Sequence, residues 1–187
     1  MNIKLQQRDK NIIEFLKNVT VADTTTLYKI FFSCDCGLRT CQERLTKLVK
    51  TGYLKRFRET YFNEYIYYIH KKPASYLHKI VFSQLIGKLK EQNIEIIKYK
   101  TPLKLFNVIA DGFIVYKSNG IKMAFVEAER TKYFDEDKYN QLYYSRKWKE
   151  YFNEFPEVWI ITDKIVKVRN THLNIKVSKL DLSDFEI

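Results

Sequence analysis

The sequence predicts an α+β protein in two parts. A small helical domain ending in a β-hairpin spans residues 1–72, and an α/β domain with a central mixed sheet spans residues 73–187. Three observations carry this. Apolar residues recur at helical spacing through the first 50 positions and then give way to runs of aromatic and β-branched residues. Hydrophobic residues make up 45% and aromatics 16% of the 187 residues, while Gly counts 5 and Pro 3. That composition excludes collagen-like, low-complexity and disordered chains and supplies enough apolar surface for ordered cores. Charge is the third. The net +11 is split unevenly, with 14 Lys and Arg against 7 Asp and Glu in residues 1–72, and 19 against 15 in the remainder.

The basic surplus points to a polyanionic partner through phosphate neutralisation, although a Lys- and Asn-rich composition yields a similar surplus without one. No apolar run reaches the ~18 residues of a membrane span. The first 15 residues are polar and carry no apolar signal core, so a cytoplasmic setting with no membrane partner is expected.

Arg8 to Val19 reads as an amphipathic helix with Ile12, Ile13, Phe15, Leu16 and Val19 on one face. Asp23 or Thr24 caps a second helix reaching Phe32. A third runs from about Leu38 to Lys50, with Leu38, Cys41, Leu45, Leu48 and Val49 at helical spacing and Gly52 as its stop. Residues 53–58 and 63–69 then read as the two arms of a hairpin. Three helices followed by a hairpin is the order of a winged helix-turn-helix.

The stretch from Thr40 to Arg56 resembles the recognition helix and first wing strand of winged-helix DNA-binding proteins: an Arg44-Leu45 pair, Leu48, Gly52-Tyr53, then a basic strand. Leu45 and Leu48 would anchor the helix, leaving its other face for a major groove. Arg39, Thr40, Gln42, Glu43, Thr46 and Lys47 are the residues placed to face bases, with Lys50 beside them. Arg44 is a phosphate-contacting or flank-packing residue. Lys55, Arg56 and Arg58 on the wing would contact phosphates or a minor groove. A winged helix devoted to protein contacts is the alternative. Cys34, Cys36 and Cys41 give C-x-C-x4-C without a fourth ligand, which favours buried or idle thiols over zinc, and three cysteines in a cytosolic setting argue against a disulfide framework.

His70 to Ala74 is the expected boundary, with Pro73 interrupting regular structure. Residues 75–92 read as a helix with Leu77, Ile80, Val81, Leu85, Ile86 and Leu89 inward, able to pack on either domain. His78 on it reads as a solvated or capping residue. Strands follow at 94–99, 108–116 and 121–129, the last two joined by the Lys117-Ser118-Asn119-Gly120 turn. A helix over 135–152, a buried strand at 157–162 and a strand near 173–180 complete the order, which is that of an α/β sandwich.

Ala110-Asp111-Gly112-Phe113 and Phe125-Val126-Glu127-Ala128-Glu129-Arg130 on neighbouring strands resemble the core of the PD-(D/E)xK nuclease-like fold. There, two such acids hold Mg²⁺, which polarises the scissile phosphate and activates water. The resemblance makes Asp111 and Glu127 candidate metal ligands, and Asp111, Glu127 and Glu129 candidate catalytic residues. It departs at the position two residues after Glu127. The family places a Lys there, pointing at the same site because i and i+2 share a strand face; this chain has Glu129. Lys122, Lys132 or Lys138 would have to reach in from elsewhere. Otherwise Asp111 serves an Asp-Gly turn, and Glu127 and Glu129 lie on a solvated strand side paired with Lys122 or Arg130.

The winged helix, the helix bearing His78, and the Asp strand and Phe-Val-Glu strand followed by a helix with Lys138 and Tyr143 are together similar to the replication-relaxation family of plasmid and mobile-element proteins. That resemblance covers residues 8–165. It implies a double-stranded DNA-binding protein acting in replication, relaxation or conjugative mobilisation, with a replication or relaxosome protein as a further partner and a non-catalytic second domain. No cofactor is then expected. The alternatives are a Mg²⁺-dependent endonuclease and a homodimeric winged-helix repressor. No Gly-rich phosphate loop, H-E-x-x-H or G-x-S-x-G is present to suggest a small-molecule enzyme.

Overall fold

The computed structural model describes residues 3–33, 37–130, 133–169 and 172–187. The fold is mixed α+β, with five α-helices among the described residues and a mixed five-stranded sheet. The chain divides into two compact units, residues 1–93 and 94–187.

The first unit begins with α1 (Gln7–Val19), whose first turn is closed by Gln6 N donating to Asp9 Oδ2 at 2.7 Å. After β1 (Ala22–Asp23), Asp23 caps α2 (Thr24–Phe31) by accepting from Thr26 N at 2.7 Å. The helix α3 (Leu38–Lys50) buries Cys41, Leu45 and Leu48 of the expected apolar set, while Val49 is half-buried and Leu38 exposed. Gly52 at φ +80° releases the chain, and Tyr53 N returns to Leu48 O at 3.0 Å. Then β2 (Lys55–Phe57) and β3 (Ile66–Tyr68) pair antiparallel with Arg56 opposite Tyr67, and β1 adds to the far side of β3.

The helix α4 (Tyr76–Glu91) also belongs to this unit, so the division falls at 93/94 and not at the expected 72/73. Tyr76, Ile80, Val81, Phe82, Leu85, Ile86 and Leu89 are all buried, while Leu77, expected inward, is exposed. This helix packs on α2. Gln84 donates to the capping Asp23 at 2.6 Å, and Lys29 pairs with Glu91 at 3.1 Å. Pro73 ends the hairpin pattern, but side-chain packing decides which unit keeps the helix.

In the second unit β4 (Glu95–Lys100), β7 (Gly112–Ser118) and β8 (Gly120–Ala128) form an antiparallel meander; β9 (Glu157–Ile161) and β10 (Ile175–Ser178) extend it in parallel to β8. A small separate ribbon is made by β5 (Leu103–Leu105) and β6 (Val108–Ala110). The strand expected over 108–116 is thus broken at Asp111, because β6 pairs with β5 instead of joining the main sheet. The helix expected over 135–152 is α5 (Glu136–Ser145), shorter than predicted. Arg146 turns left-handed at φ +56°, and a 3-10 turn over Lys147–Glu150 still delivers Trp148 to the core. One core joins Phe113, Phe125, Val158 and Ile160 of the sheet with Tyr139, Leu142 and Trp148. Elsewhere Trp159 is fully buried between Tyr116 and Phe185 of the C-terminal tail. No helix among the described residues is long and apolar enough to cross a membrane.

Candidate nucleic-acid interface and carboxylate cluster

The α3 face opposite Leu45 and Leu48 leaves Arg39, Thr40, Gln42, Glu43, Lys47 and Lys50 exposed. Arg39 and Glu43, one turn apart, form a 3.0 Å ion pair in which the Arg39 side chain keeps 91% of its exposure. Such a pair is weak and gives way to a stronger anion. Thr46 is half-buried and accepts a hydrogen bond from Arg56 Nη1 at 3.1 Å, linking α3 to β2. The Arg56 guanidinium also lies 3.9 Å from the centre of the Tyr65 ring. Arg58 lies 4.8 Å from the same ring and donates to Tyr61 O at 3.0 Å. Lys55 donates to His70 O at 2.8 Å at the base of the hairpin. A cleft of about 460 Å³ lies between these elements, lined by Thr25, Leu38, Gln42, Arg58, Glu64 and Tyr65.

Arg44 faces elsewhere. Its Nε donates to Asp9 Oδ1 at 2.8 Å and its Nη2 to Asp9 Oδ2, a two-pronged pair with a fully buried acid that clamps α3 to α1. Burial pushes the Asp9 carboxyl up. The Arg44 hydrogen bonds, the Gln6 amide and the charges of Arg44 and Arg8 outweigh it, and the group is held below its ordinary value. Of the two readings for Arg44, the flank-packing one describes its position. Tyr65 is a platform under two arginines, and in the sequence it carries no signal beyond strand propensity.

In the second unit the structure gathers the predicted acids around Tyr139. Glu127, at the end of β8, is 3% exposed. Its Oε1 receives Lys138 Nζ at 2.6 Å and the Tyr139 hydroxyl. Lys138 also donates to Ile109 O at 3.4 Å. Asp111, just before β7, accepts from Ala128 N at 2.9 Å and so ties the entrance of β7 to the exit of β8. Glu129 is half-buried one residue past β8, its backbone bonded to Ile161 O and Thr162 Oγ1. Burial, aided by the charge of Asp111, raises the Glu127 carboxyl above its ordinary value despite Lys138 and Tyr139. Burial and the charges of Glu127, Asp111 and Glu129 push the Tyr139 phenol well above its own.

Glu127 is therefore not on a solvated strand side. Of the three lysines considered for it, Lys138 arrives; Lys122 instead lies 4.0 Å from Glu154, and Lys132 is outside the described residues, as are Cys34 and Cys36. Tyr139 was read only as core. A signal was available: α5 begins at Glu136, so Lys138 and Tyr139 share the first turn facing the strand end. Among the described residues no three His, Cys, Asp or Glu side chains are grouped as a metal site. Compared with protein-family models, curated proteins and solved structures, the chain matches none of them.

Proposed function

We propose that the protein binds double-stranded DNA through α3 and the β2–β3 hairpin, in the manner of a winged helix, and serves a plasmid or other mobile element in replication, relaxation or mobilisation. The observation that carries the reading is the joined surface of exposed Arg39, Gln42, Lys47 and Lys50 with Arg56 and Arg58, held together by the Arg56–Thr46 bond. The arrangement gives a helix free to enter a major groove and a cationic hairpin beside it for phosphates or a minor groove. Charge supports it: residues 1–93 carry 17 Lys and Arg against 8 Asp and Glu, and residues 94–187 carry 16 against 14. The test is fluorescence anisotropy of the full chain on a labelled duplex across a salt series. If about four phosphates are contacted, affinity falls roughly a hundredfold between ~50 and ~200 mM salt. An absence of binding, or binding indifferent to salt, contradicts the reading.

In this reading the second unit is non-catalytic and serves partner recruitment or dimerisation. The opposing reading, a Mg²⁺-dependent nuclease of PD-(D/E)xK type, has one observation in its favour: Lys138 supplies from α5 the ammonium that the family takes from the position of Glu129. The donor set as arranged does not fit a divalent cation. Glu127 Oε1 is held by Lys138 and Tyr139, Asp111 Oδ2 by the Ala128 amide, and burial disfavours the ionised form of Glu127 that a cation needs. Incubation of supercoiled plasmid with Mg²⁺ or Mn²⁺ decides between them. We expect no nicking beyond that of an Asp111→Ala control; nicking lost in the control would establish the nuclease.

A further inference from the structure

The tip of the β2–β3 hairpin is occupied by two large aromatics that bury little of their surface in the fold. Phe62 is 95% exposed and Tyr61 77%. They are the two central residues of a turn closed by Asn63 N donating to Thr60 O at 3.2 Å and Thr60 Oγ1 donating to Asn63 Oδ1 at 2.6 Å. A turn needs only polar or small residues there, so the rings are an addition to the turn chemistry. They are also held in place. The Arg58 guanidinium sits 4.5 Å from the Tyr61 ring centre, and Tyr61 meets Phe62 edge to face at 5.8 Å and 90°. Tyr61 thus has one face under a cation, while Phe62 is open over almost all of its surface.

Charge around the tip says what covers this ring. The acids flanking it, Glu59 and Glu64, are already engaged. Glu59 accepts from the Tyr76 hydroxyl, and Glu64 accepts from Thr25 N and Thr25 Oγ1, each at 2.9 Å, at the start of α2. Lys55, Arg56 and Arg58 remain along the hairpin. An apolar ring at the end of a cationic arm fits a ligand whose surface is anionic but whose interior is flat and aromatic, which describes a nucleic acid. Entering a continuous duplex requires unstacking a base step, at a cost of a few kcal/mol. At a duplex-to-single-strand junction a base face is already uncovered, and stacking on it is favourable for any base.

We infer that Phe62 stacks on the last base pair at such a junction, with Tyr61 and Arg58 bracing it, so that the protein prefers forked DNA to uninterrupted duplex. The inference rests on the DNA-binding reading above and adds the class of DNA. The test measures the affinity of the full chain for two DNAs of equal length and core sequence, one fully paired and one with an unpaired fork, the latter carrying 2-aminopurine at the last paired position. The wild type should bind the fork about tenfold more tightly and change the 2-aminopurine emission, as expected for one stacked base. Phe62→Ala should lose both effects while keeping wild-type affinity for the paired duplex; Phe62→Trp should keep both. Equal affinity of the wild type for fork and duplex, or a fork preference that survives Phe62→Ala, overturns the inference and leaves duplex binding intact. Failure to bind either DNA overturns both.

Discussion

Each half of the molecule contains a buried acid held by a basic side chain, and the two behave in opposite ways. Asp9 with Arg44 clamps α1 to α3, and Glu127 with Lys138 joins β8 to α5. The acids are almost equally hidden and the bases almost equally accessible, yet the Asp9 carboxyl is shifted down and the Glu127 carboxyl up. Surface exposure alone does not separate them; Glu127 lies deeper in the protein, so desolvation weighs more heavily on it. Asp9 receives both prongs of a guanidinium and a backbone amide, with Arg8 nearby. Glu127 receives one ammonium and one phenol and has Asp111 as a neighbour. The first arrangement matches a carboxylate's lone pairs and holds a structure in place. The second leaves desolvation undercompensated.

The largest effect should follow from removing the better-matched base. Arg44→Met leaves a charge with no exposure, and we expect a loss of about 3–5 kcal/mol in chemical denaturation of the first unit. Lys138→Met should cost less, about 1–3 kcal/mol at neutral pH, because Glu127 can take up a proton. That loss should shrink on acidification. A deficit in Lys138→Met as large as that of Arg44→Met would remove the distinction.

The opposite shifts also set opposite pH dependences. For Glu127, with its folded value raised, stability declines as pH rises through the window between its ordinary value and its folded one; Glu127→Gln should abolish that decline. For Asp9, with its folded value lowered, the contribution is complete above the ordinary value and disappears as pH falls through the folded one; Asp9→Asn should abolish that loss. Carboxyl-detected NMR titration would show Glu127 titrating above 4.5 and Asp9 below 3.8. The smallest effect belongs to the link between α3 and the hairpin. Thr46→Val removes one partner of Arg56, which keeps Tyr65 and Tyr67, and we expect about 0.5–1.5 kcal/mol of stability to be lost, with a modest weakening on duplex DNA.

What the sequence revealed follows the same physics. The apolar spacing of Cys41, Leu45 and Leu48 and the stop at Gly52 placed α3 at its observed limits, because both signals are local. The acids at 111, 127 and 129 were legible as a group only through the likeness to a nuclease core, and the structure places them at the ends of β7 and β8. The unit boundary was not legible. Residues 76–91 are apolar around much of the helix, so periodicity gives no single direction, and its packing on α2, with the Asp23–Gln84 and Lys29–Glu91 contacts, shows its partner only in the fold. The break at Asp111 was hidden for a similar reason: residues 108–116 look like one strand, and the competing partner, β5, is short and weakly patterned. Lys138 was one of three lysines considered, and separating it from Lys122 required the crossover from β8 through α5. Arg44 shows the converse. A basic residue on a recognition-like helix reads as a DNA contact until its buried partner, 35 positions away, is known.

In the proposed function, duplex affinity resides in α3 and the hairpin and not in the carboxylate cluster. Its most direct test is the duplex dissociation constant of Arg39→Glu/Lys47→Glu beside that of Asp111→Ala, at one low salt concentration. Both charged positions are exposed, so the double variant should fold normally. The double variant should lose measurable duplex binding while Asp111→Ala keeps wild-type affinity; unchanged binding by the double variant would overturn DNA binding through α3.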